Sequence, residues 1–486
     1  MCDTSPAGAA PTLAALWDLE RFLAGAATDR LGLSEIERGS ERRGREIVRA
    51  AIQSHLDSRS PGDIGPAVIL SSPDGPVALT HKRARTRRLL TLFGEVQVTR
   101  VGYGARGHAS VCPLDAELAL PARAYSYEIC RRLVRIAVCS PFDEAVALVA
   151  DTTGVTVPKR SAELIVLEAA ADFDAFYTVR CRDAFTVEKG EVLVGAVDGK
   201  GIPMVKPVPA TRVVRLGSGE KRNKKRMATV GTVFSAAPRG RTAQAVVDSL
   251  FSTGPADQDR PARQRPTHKR VWASLLAGKD KFIADVKAEM TRRDPLREHP
   301  WVIVADGERA LQRRVTATFE DVTLVLDLLH VLEKLWDAAH ALHREGSPEA
   351  EDFVRQRALR ILSGQVSGVV QGLRQTVTKR NLKGPKAKTI LGVAGYYYNN
   401  RSRMRYHEYL ANGWPIASGC VEGACKNLVR DRFERSGMRW TPDMAEAMLR
   451  LRATYLSADL DDYWEFHVQQ DQQRLHPKAQ CSVVSK

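Results

Sequence analysis

The sequence predicts an α/β protein in which one sheet, covered on both faces, is flanked by helix-rich segments. Three observations carry this. Residues 192–197, 301–305 and 322–326 are short, mainly apolar runs, each reaching an aspartate, and helix signals follow them. The surrounding segments repeat their apolar residues at helical rather than alternating spacing. The chain has 486 residues, 44% hydrophobic and 27% charged, which supports a buried core and, at roughly 100–200 residues per domain, about two to four domains.

The elements follow in order. Residues 1–65 are a helical N-terminal region: Leu13, Leu16, Trp17, Leu19, Phe22 and Leu23 recur at helical spacing, and the charge-dense helix over 35–49 is ended by Ser60-Pro61-Gly62-Asp63. Residues 66–110 change period and predict a β-hairpin segment, with strands near 68–70, 89–92 and 96–99 and a turn at Phe93-Gly94-Glu95. Lys82, Arg83, Arg85, Arg87 and Arg88 fall beside this hairpin, as a nucleic-acid contact or as charge protecting a solvated strand edge. Residues 111–185 resemble a helix-turn-helix DNA-binding domain. Ser140 is a good N-cap before Pro141, 142–150 make the first helix, and Thr153-Gly154-Val155 turns the chain. Pro158 opens a second helix with Lys159 and Arg160 in its first turn. A three-helix core without DNA contact explains the same spacing.

The α/β unit spans 190–330, with a further strand over 227–237 and a helix over 242–251. Helices are predicted over 330–343, 350–362, 371–380 and 390–398, and another holds Glu422. The polar tail, 461–486, is expected to fray. No run reaches the roughly 18 apolar residues of a membrane span, so no membrane partner is expected. Residues 1–10 lack a basic cluster before an apolar stretch, so no secretory signal is expected. Eight scattered cysteines without a CxxC pair support neither a disulfide framework nor a zinc knuckle, and a reducing cytoplasm is the simple reading.

Charge speaks to partners. Lys and Arg number 73 against 57 Asp and Glu, a net +16. The isoelectric point is near 9.6. Such a balance favours a polyanion, usually nucleic acid, although an ordinary basic enzyme shares it.

The candidate chemistry lies in carboxylates that leave the sheet. Functional groups of open α/β sheets gather at the carboxyl ends of strands. Asp198 and Asp306 stand in Val-Asp-Gly and Ala-Asp-Gly contexts, where Gly199 and Gly307 permit a sharp turn and leave access to the acid. On neighbouring strands the two acids would converge on Mg²⁺, which prefers carboxylates, water and substrate phosphates. Two ions about 3.5–4 Å apart suit phosphodiester cleavage. Glu422 opens a helix with Lys426 and Arg430 at i+4 and i+8, either a third acid with phosphate-binding bases or a surface charge ladder. Asp327 and His330 start a helix, as a cap with a packed histidine or as auxiliaries to the site. Lys221, Arg222, Lys224, Lys225 and Arg226 form a basic loop beside Asp198, and Lys200 is close in sequence; both suit phosphate backbone. Trp440 and the run Tyr396-Tyr397-Tyr398-Asn399-Asn400-Arg401 mix aromatics with bases and would stack unpaired bases or fill a core.

Several segments together resemble bacterial insertion-sequence transposases of the ISKra type. They are Val197-Asp198-Gly199-Lys200-Gly201, Val304-Ala305-Asp306-Gly307-Glu308, Leu326-Asp327-Leu328-Leu329-His330 and Ser418-Gly419-Cys420-Val421-Glu422. Lys426 to Arg432, Ser436-Gly437-Met438-Arg439-Trp440, and Thr91 to Val96 with Arg100 and Tyr103 fit as well. The similarity covers most of 85–460, and the order of these motifs is more specific than any one of them.

The family is a DDE group with an RNase H-like core, akin to Mutator-like transposases. The resemblance implies an α/β RNase H-like catalytic core over 190–330 and 413–460. An all-α insertion over 331–412 would lengthen the second acid spacing to 116 residues, against 108 for the first. It implies Asp198, Asp306 and Glu422 as catalytic and metal-binding acids, with two Mg²⁺ ions or substituting Mn²⁺. Asp327 and His330 would be auxiliary. Lys159, Arg160, Lys200, the 221–226 bases, Lys426, Arg430, Arg432 and Trp440 would meet DNA. Its partners would be double-stranded DNA, as terminal inverted repeats and target, and further copies in a dimeric or larger synaptic complex at the bacterial nucleoid. A structure-selective nuclease and a domesticated DNA-binding regulator remain as alternatives.

Overall fold

The computed structural model describes residues 10–72, 75–180, 187–205, 225–251 and 266–476. The chain divides into two compact units, Met1–Phe176 with Leu460–Lys486, and Tyr177–Asp459.

The first unit opens with helices Ala10–Leu23 and Leu33–Ser58. Four strands follow: β1 (Val68–Ser72) pairs antiparallel with β2 (Gly75–Leu79), and β3 (His81–Thr91) pairs with β4 (Gly94–Gly104). The hairpin turn falls where the sequence places it, but β3 reaches back to His81, so Lys82, Arg83, Arg85, Arg87 and Arg88 lie within the strand. Alternation is illegible there because residues 81–86 are exposed on both faces of a two-stranded ribbon. Apolar inward positions begin only with Leu89, which packs with Val96, Val98, Leu114 and Leu120.

The helices Tyr127–Ala137, Phe142–Thr153 and Lys159–Ala169 realise the three-helix pattern. Gly154 caps the middle helix with φ +68°, and Pro141, not Ser140, is its N-cap. Lys159 and Arg160 open the third helix exposed, with ion pairs to Asp143 at 2.7 Å and Glu163 at 2.9 Å.

Residues 461–475 are not a frayed tail. They belong to a helix, Leu460–Leu475, that buries Tyr463, Trp464 and His467. Asp172 holds it, accepting from His467 Nδ1 at 2.7 Å and Arg474 Nη1 at 2.6 Å. Its anchors recur every three to four residues within a polar sequence, so composition hides them.

The second unit is built on a mixed five-stranded sheet in the order β7-β6-β5-β8-β9. The strands are β5 (Val192–Ile202), β6 (Arg226–Ala236), β7 (Thr267–Ser274), β8 (Trp301–Ala305) and β9 (Thr323–Leu326). β5, β6 and β7 run antiparallel in succession, and β8 and β9 add parallel to β5. β8 and the first six residues of β5 are buried throughout, as strands covered on both faces must be. β7 escapes sequence reading because only its second half is apolar. Helices Leu328–Leu342, Pro348–Leu362, Val366–Lys379, Gly384–Asn400 and Tyr406–Ala411 make residues 331–412 helical among the described residues.

A buried carboxylate sets the entry to β8. Asp294 ends the helix Lys279–Arg293 and accepts from Trp301 Nε1 (2.8 Å), Glu298 N (3.0 Å) and His299 N (3.2 Å). Asp294→Ala strands the buried Trp301 Nε1 donor, worth about 1–3 kcal/mol when left unsatisfied, and removes the acceptor of two part-buried backbone N–H groups. It should lower the unfolding free energy by about 2–4 kcal/mol in urea titration, while Asp294→Asn, which keeps one acceptor oxygen, should cost less.

Candidate active site

Asp198 and Asp306 occupy equivalent positions on adjacent parallel strands. The last β5–β8 pair is Val197 with Ala305, and each acid is the next residue. Neighbouring strands lie about 4.8 Å apart, so this register alone brings the two side chains together. Asp198 does not end its strand, since β5 runs on to Ile202 paired with β6 and leaves only β8 behind. The acid therefore stands on rigid sheet where the parallel pairing stops.

Both carboxylates are half-buried. Asp198 Oδ1 accepts from Gly199 N at 2.6 Å, and Oδ2 accepts from Cys425 Sγ at 3.3 Å. Burial and the Asp198 charge push the Cys425 thiol far up, so it serves as a donor, not a nucleophile. Asp306 Oδ1 accepts from Glu308 N at 3.0 Å. Burial raises the Asp306 pKa and Asp198 raises it further, against the pull of the Glu308 N–H and His330. Two half-buried acids whose charges oppose each other are the kind of pair that an oxygen-seeking divalent cation relieves. Among the described residues no three His, Cys, Asp or Glu side chains come together in a group that could hold a metal ion, so the expected triad of Asp198, Asp306 and Glu422 is not assembled as a metal site. Glu422 is exposed on the helix Gly419–Ala424, which packs on β5 and β6.

Asp327 is 1% exposed and follows β9. Its Oδ1 accepts from Leu329 N (3.0 Å) and Ser418 N (3.1 Å), and its Oδ2 from His330 Nδ1 (3.1 Å) and the Ser418 hydroxyl. Burial alone would raise its pKa, but the donors from His330 and Ser418 overcome that and lower it. With every lone pair engaged, Asp327 is a positioning residue. It caps the helix Leu328–Leu342 and holds Ser418, the N-cap of the Glu422 helix. The hydrogen bond to Asp327 raises His330 to about 9 against the desolvation of its ring, so an imidazolium stands near Asp198 and Asp306 at neutral pH.

The helical segment contributes two groups that sequence reading underused. Gly307 does not leave the acid open: a Cβ there would lie 2.2 Å from the Tyr396 hydroxyl, so the glycine exists to admit that ring. Burial, with Asp306 and Asp327 adding to it, pushes the Tyr396 phenol up to about 12. Asn400 accepts from Gln312 Nε2 at 3.0 Å, and Gln312 also donates to the Asp306 carbonyl at 3.0 Å. A chain of hydrogen bonds thus runs from the helix Gly384–Asn400 to the Asp306 turn. Gly307, which neighbours Asp306, and the aromatic run were the available signals, but nothing in the sequence pairs them.

The predicted cations divide. Lys200 is half-buried two residues beyond Asp198, on the same face of β5. Arg226 is exposed, and Lys225 pairs with Glu434 at 2.5 Å. Lys221, Arg222 and Lys224 lie outside the described residues. Lys426 and Arg430 are exposed, but Cys425–Arg430 is a π-helical turn, so α-helical i+4 spacing no longer aligns them under Glu422. Arg432 and Trp440 are corrections. Arg432 is 0% and Trp440 4% exposed. Arg432 lies over the indole at 4.8 Å, the Trp440 Nε1–H donates to the Phe433 carbonyl at 3.2 Å, and Val205 N donates to the Trp440 carbonyl at 2.8 Å. Both are core beside the end of β5, where no base can stack. No protein-family model and no curated protein matches the chain.

The His330–Asp327 pair has a sign-determined titration. Its folded pKa lies above the unfolded value, so its stabilisation is full below pH 6.5 and is lost as pH rises through about 9. NMR of the imidazole should show a midpoint near 9 that drops toward 6.5 in Asp327→Asn. A wild-type midpoint at 6.5 would refute the pairing.

Proposed function

We propose that the protein is a DNA transposase of the DDE class, with an RNase H-like core and catalytic acids Asp198, Asp306 and Glu422. The observation that carries the reading is the register that sets Asp198 and Asp306 side by side where β5 and β8 part. The mixed sheet, with three antiparallel strands and two parallel ones, supports the RNase H-like core. Helical residues between the second and third acids support the insertion, and exposed Lys159 and Arg160 at a helix start support terminal-repeat recognition.

In this reading Asp198 and Asp306 would hold Mg²⁺ or Mn²⁺, with Glu422 as the third acid from its helix. The bound ions would activate water or a 3′-hydroxyl and stabilise the departing oxygen. His330, cationic at neutral pH, offers a donor and a positive charge to the phosphodiester. Lys200 faces the same side and contacts the backbone next to the scissile bond. Asp327 keeps His330 charged and the Glu422 helix in place. Cys425 orients one Asp198 oxygen by its hydrogen bond. DNA cleavage at an element end and joining to target are both phosphoryl displacements, so one acidic site serves both.

The test is metal-dependent cleavage and joining on labelled DNA carrying the ends that flank the gene. Wild type should yield both products, and Asp198→Asn, Asp306→Asn and Glu422→Gln should each lose at least about 10²-fold, the scale of removing one electrostatic group from a transition state. Cleavage without joining would favour the nuclease. Tight binding without chemistry would favour the regulator, and retained activity in one variant would remove that acid from the set.

A further inference from the structure

A second constellation lies in the Tyr177–Asp459 unit, away from Asp198 and Asp306. A cavity of about 290 Å³ opens beside the first residues of β7. Arg180, Lys269, Arg270, Arg292 and Arg293 line it, and its carboxylates among the described residues are Glu289 and Asp459. Those β7 residues pair with β6 opposite Leu193 to Gly195, three to five positions before Asp198 on β5. At about 3.3 Å per residue this is roughly 10–17 Å along the strand, so whatever the cavity holds is not the reacting group of the acidic site.

The cavity is shaped by two irregularities. Between Val233 and Ser235 the β6–β7 register slips, and β7 spends an extra residue there. His268 lies in that bulge with φ +48°. A regular strand sends alternate side chains to opposite faces, but the bulge lets the consecutive His268, Lys269 and Arg270 all line one cavity. Across from them Ala458 holds φ +60°. Left-handed backbone in residues other than glycine persists only where the surroundings impose it, and such strain gathers at binding sites.

The charges are arranged around one acid. Glu289 is 3% exposed and accepts from Arg270, from Arg292 Nη2 at 2.8 Å and from Arg293 Nε at 2.8 Å. Burial would raise its pKa, but the guanidiniums of Arg270 and Arg293 lead in holding it far below the usual carboxylate range. One carboxylate thus aligns three guanidiniums and leaves their combined charge in excess. Asp459 meets Arg180 at 3.0 Å and accepts from the Tyr177 hydroxyl at 2.8 Å. Lys269 is exposed at the rim. Among the described residues Arg292 Nε is buried without a hydrogen-bond partner, although its side chain is one-third exposed. A buried charged donor left unpaired marks the place of an absent acceptor.

We propose that this cavity is an anion site for a phosphate group. Fixed, planar guanidinium donors match phosphate oxygens, and a surplus above one charge suits a dianion better than a carboxylate. The volume is at the lower end of ligand pockets, which fits one phosphate-bearing small molecule or a terminal DNA phosphate and no dinucleotide.

The experiment uses the full chain with inorganic phosphate as probe, read by calorimetric titration and by thermal unfolding against sodium chloride of equal ionic strength. Wild type and the remote control Lys334→Ala should bind phosphate alike and gain thermal stability with its concentration. Lys269→Ala and Arg292→Gln should bind at least tenfold more weakly. Lys269 is exposed and its side chain makes no hydrogen bond or ion pair among the described residues, so its variant tests the site even if Arg292→Gln loosens the cluster. Equal stabilisation by chloride, or unchanged affinity in both variants, would overturn the proposal. A 5′-phosphorylated duplex that displaces phosphate, where the unphosphorylated duplex does not, would identify a DNA terminus as the source. Displacement by neither would identify a free phosphate compound. Both results keep the site.

Discussion

One buried carboxylate, Asp327, is the constraint on which the candidate site depends. It lies at the end of β9, 1% exposed, and takes hydrogen bonds from Leu329, His330 and both the backbone and side chain of Ser418. A buried charge is tolerated only when its lone pairs are engaged by good donors. Ser418 lies 91 positions from Asp327 in sequence, so satisfying one acid closes the loop formed by the helical segment 331–412. Leu328 N donating to the Ile416 carbonyl at 2.9 Å and Tyr406 donating to the Leu326 carbonyl at 2.7 Å seal the same junction. The Glu422 helix therefore starts from a fixed point beside the sheet, although 116 residues separate Glu422 from Asp306.

The second organising feature is the double role of β5. To one side it forms an eleven-residue antiparallel ladder with β6, and to the other a five-residue parallel ladder with β8. Where the shorter ladder stops, β5 is still rigid but has one free edge. Asp198 stands at that step, with Asp306 across it. The helix Gly384–Asn400 fills the remaining space through Tyr396 over Gly307 and Asn400 on Gln312. The helical segment is therefore part of the site and not a spacer between its acids.

Much of this was legible from the residues. Strands buried on both faces have no polar side to show, so 192–197 and 301–305 stand out as apolar runs and their aspartates follow directly. Pro141, Gly154 and Pro158 likewise mark helix ends by local chemistry, and the structure moves the cap by one residue. What stayed hidden depends on distant partners. β3 and β7 are half-polar strands whose polar halves carry basic residues, so period 2 never forms a pattern. The helix Leu460–Leu475 keeps its place through Asp172, almost 300 positions away. The role of Gly307 needs Tyr396, and the role of Asp327 needs Ser418. Arg432 and Trp440 show the converse: a basic and an aromatic residue near the third acid satisfied the composition of a DNA contact while packing on each other.

That last case bears on how the net charge of +16 is to be used. A cation count treats every Lys and Arg as surface potential. Arg432 and Arg452 are 0% and 7% exposed and spend their donors inside the fold, as when Arg452 Nε bonds the Asn427 carbonyl at 2.7 Å. Such residues still contribute charge, but they cannot give up water and counterions to a phosphate backbone. The cations able to do so are those at the surface, among them Arg83, Arg85 and Arg88 on β3, Lys159 and Arg160 at a helix start, and Lys426 and Arg430 beyond Glu422. Counterion release scales with the phosphates actually neutralised. The salt dependence of DNA affinity in the proposed transposase is thus set by these exposed groups, and a sequence total that includes the buried arginines overstates it.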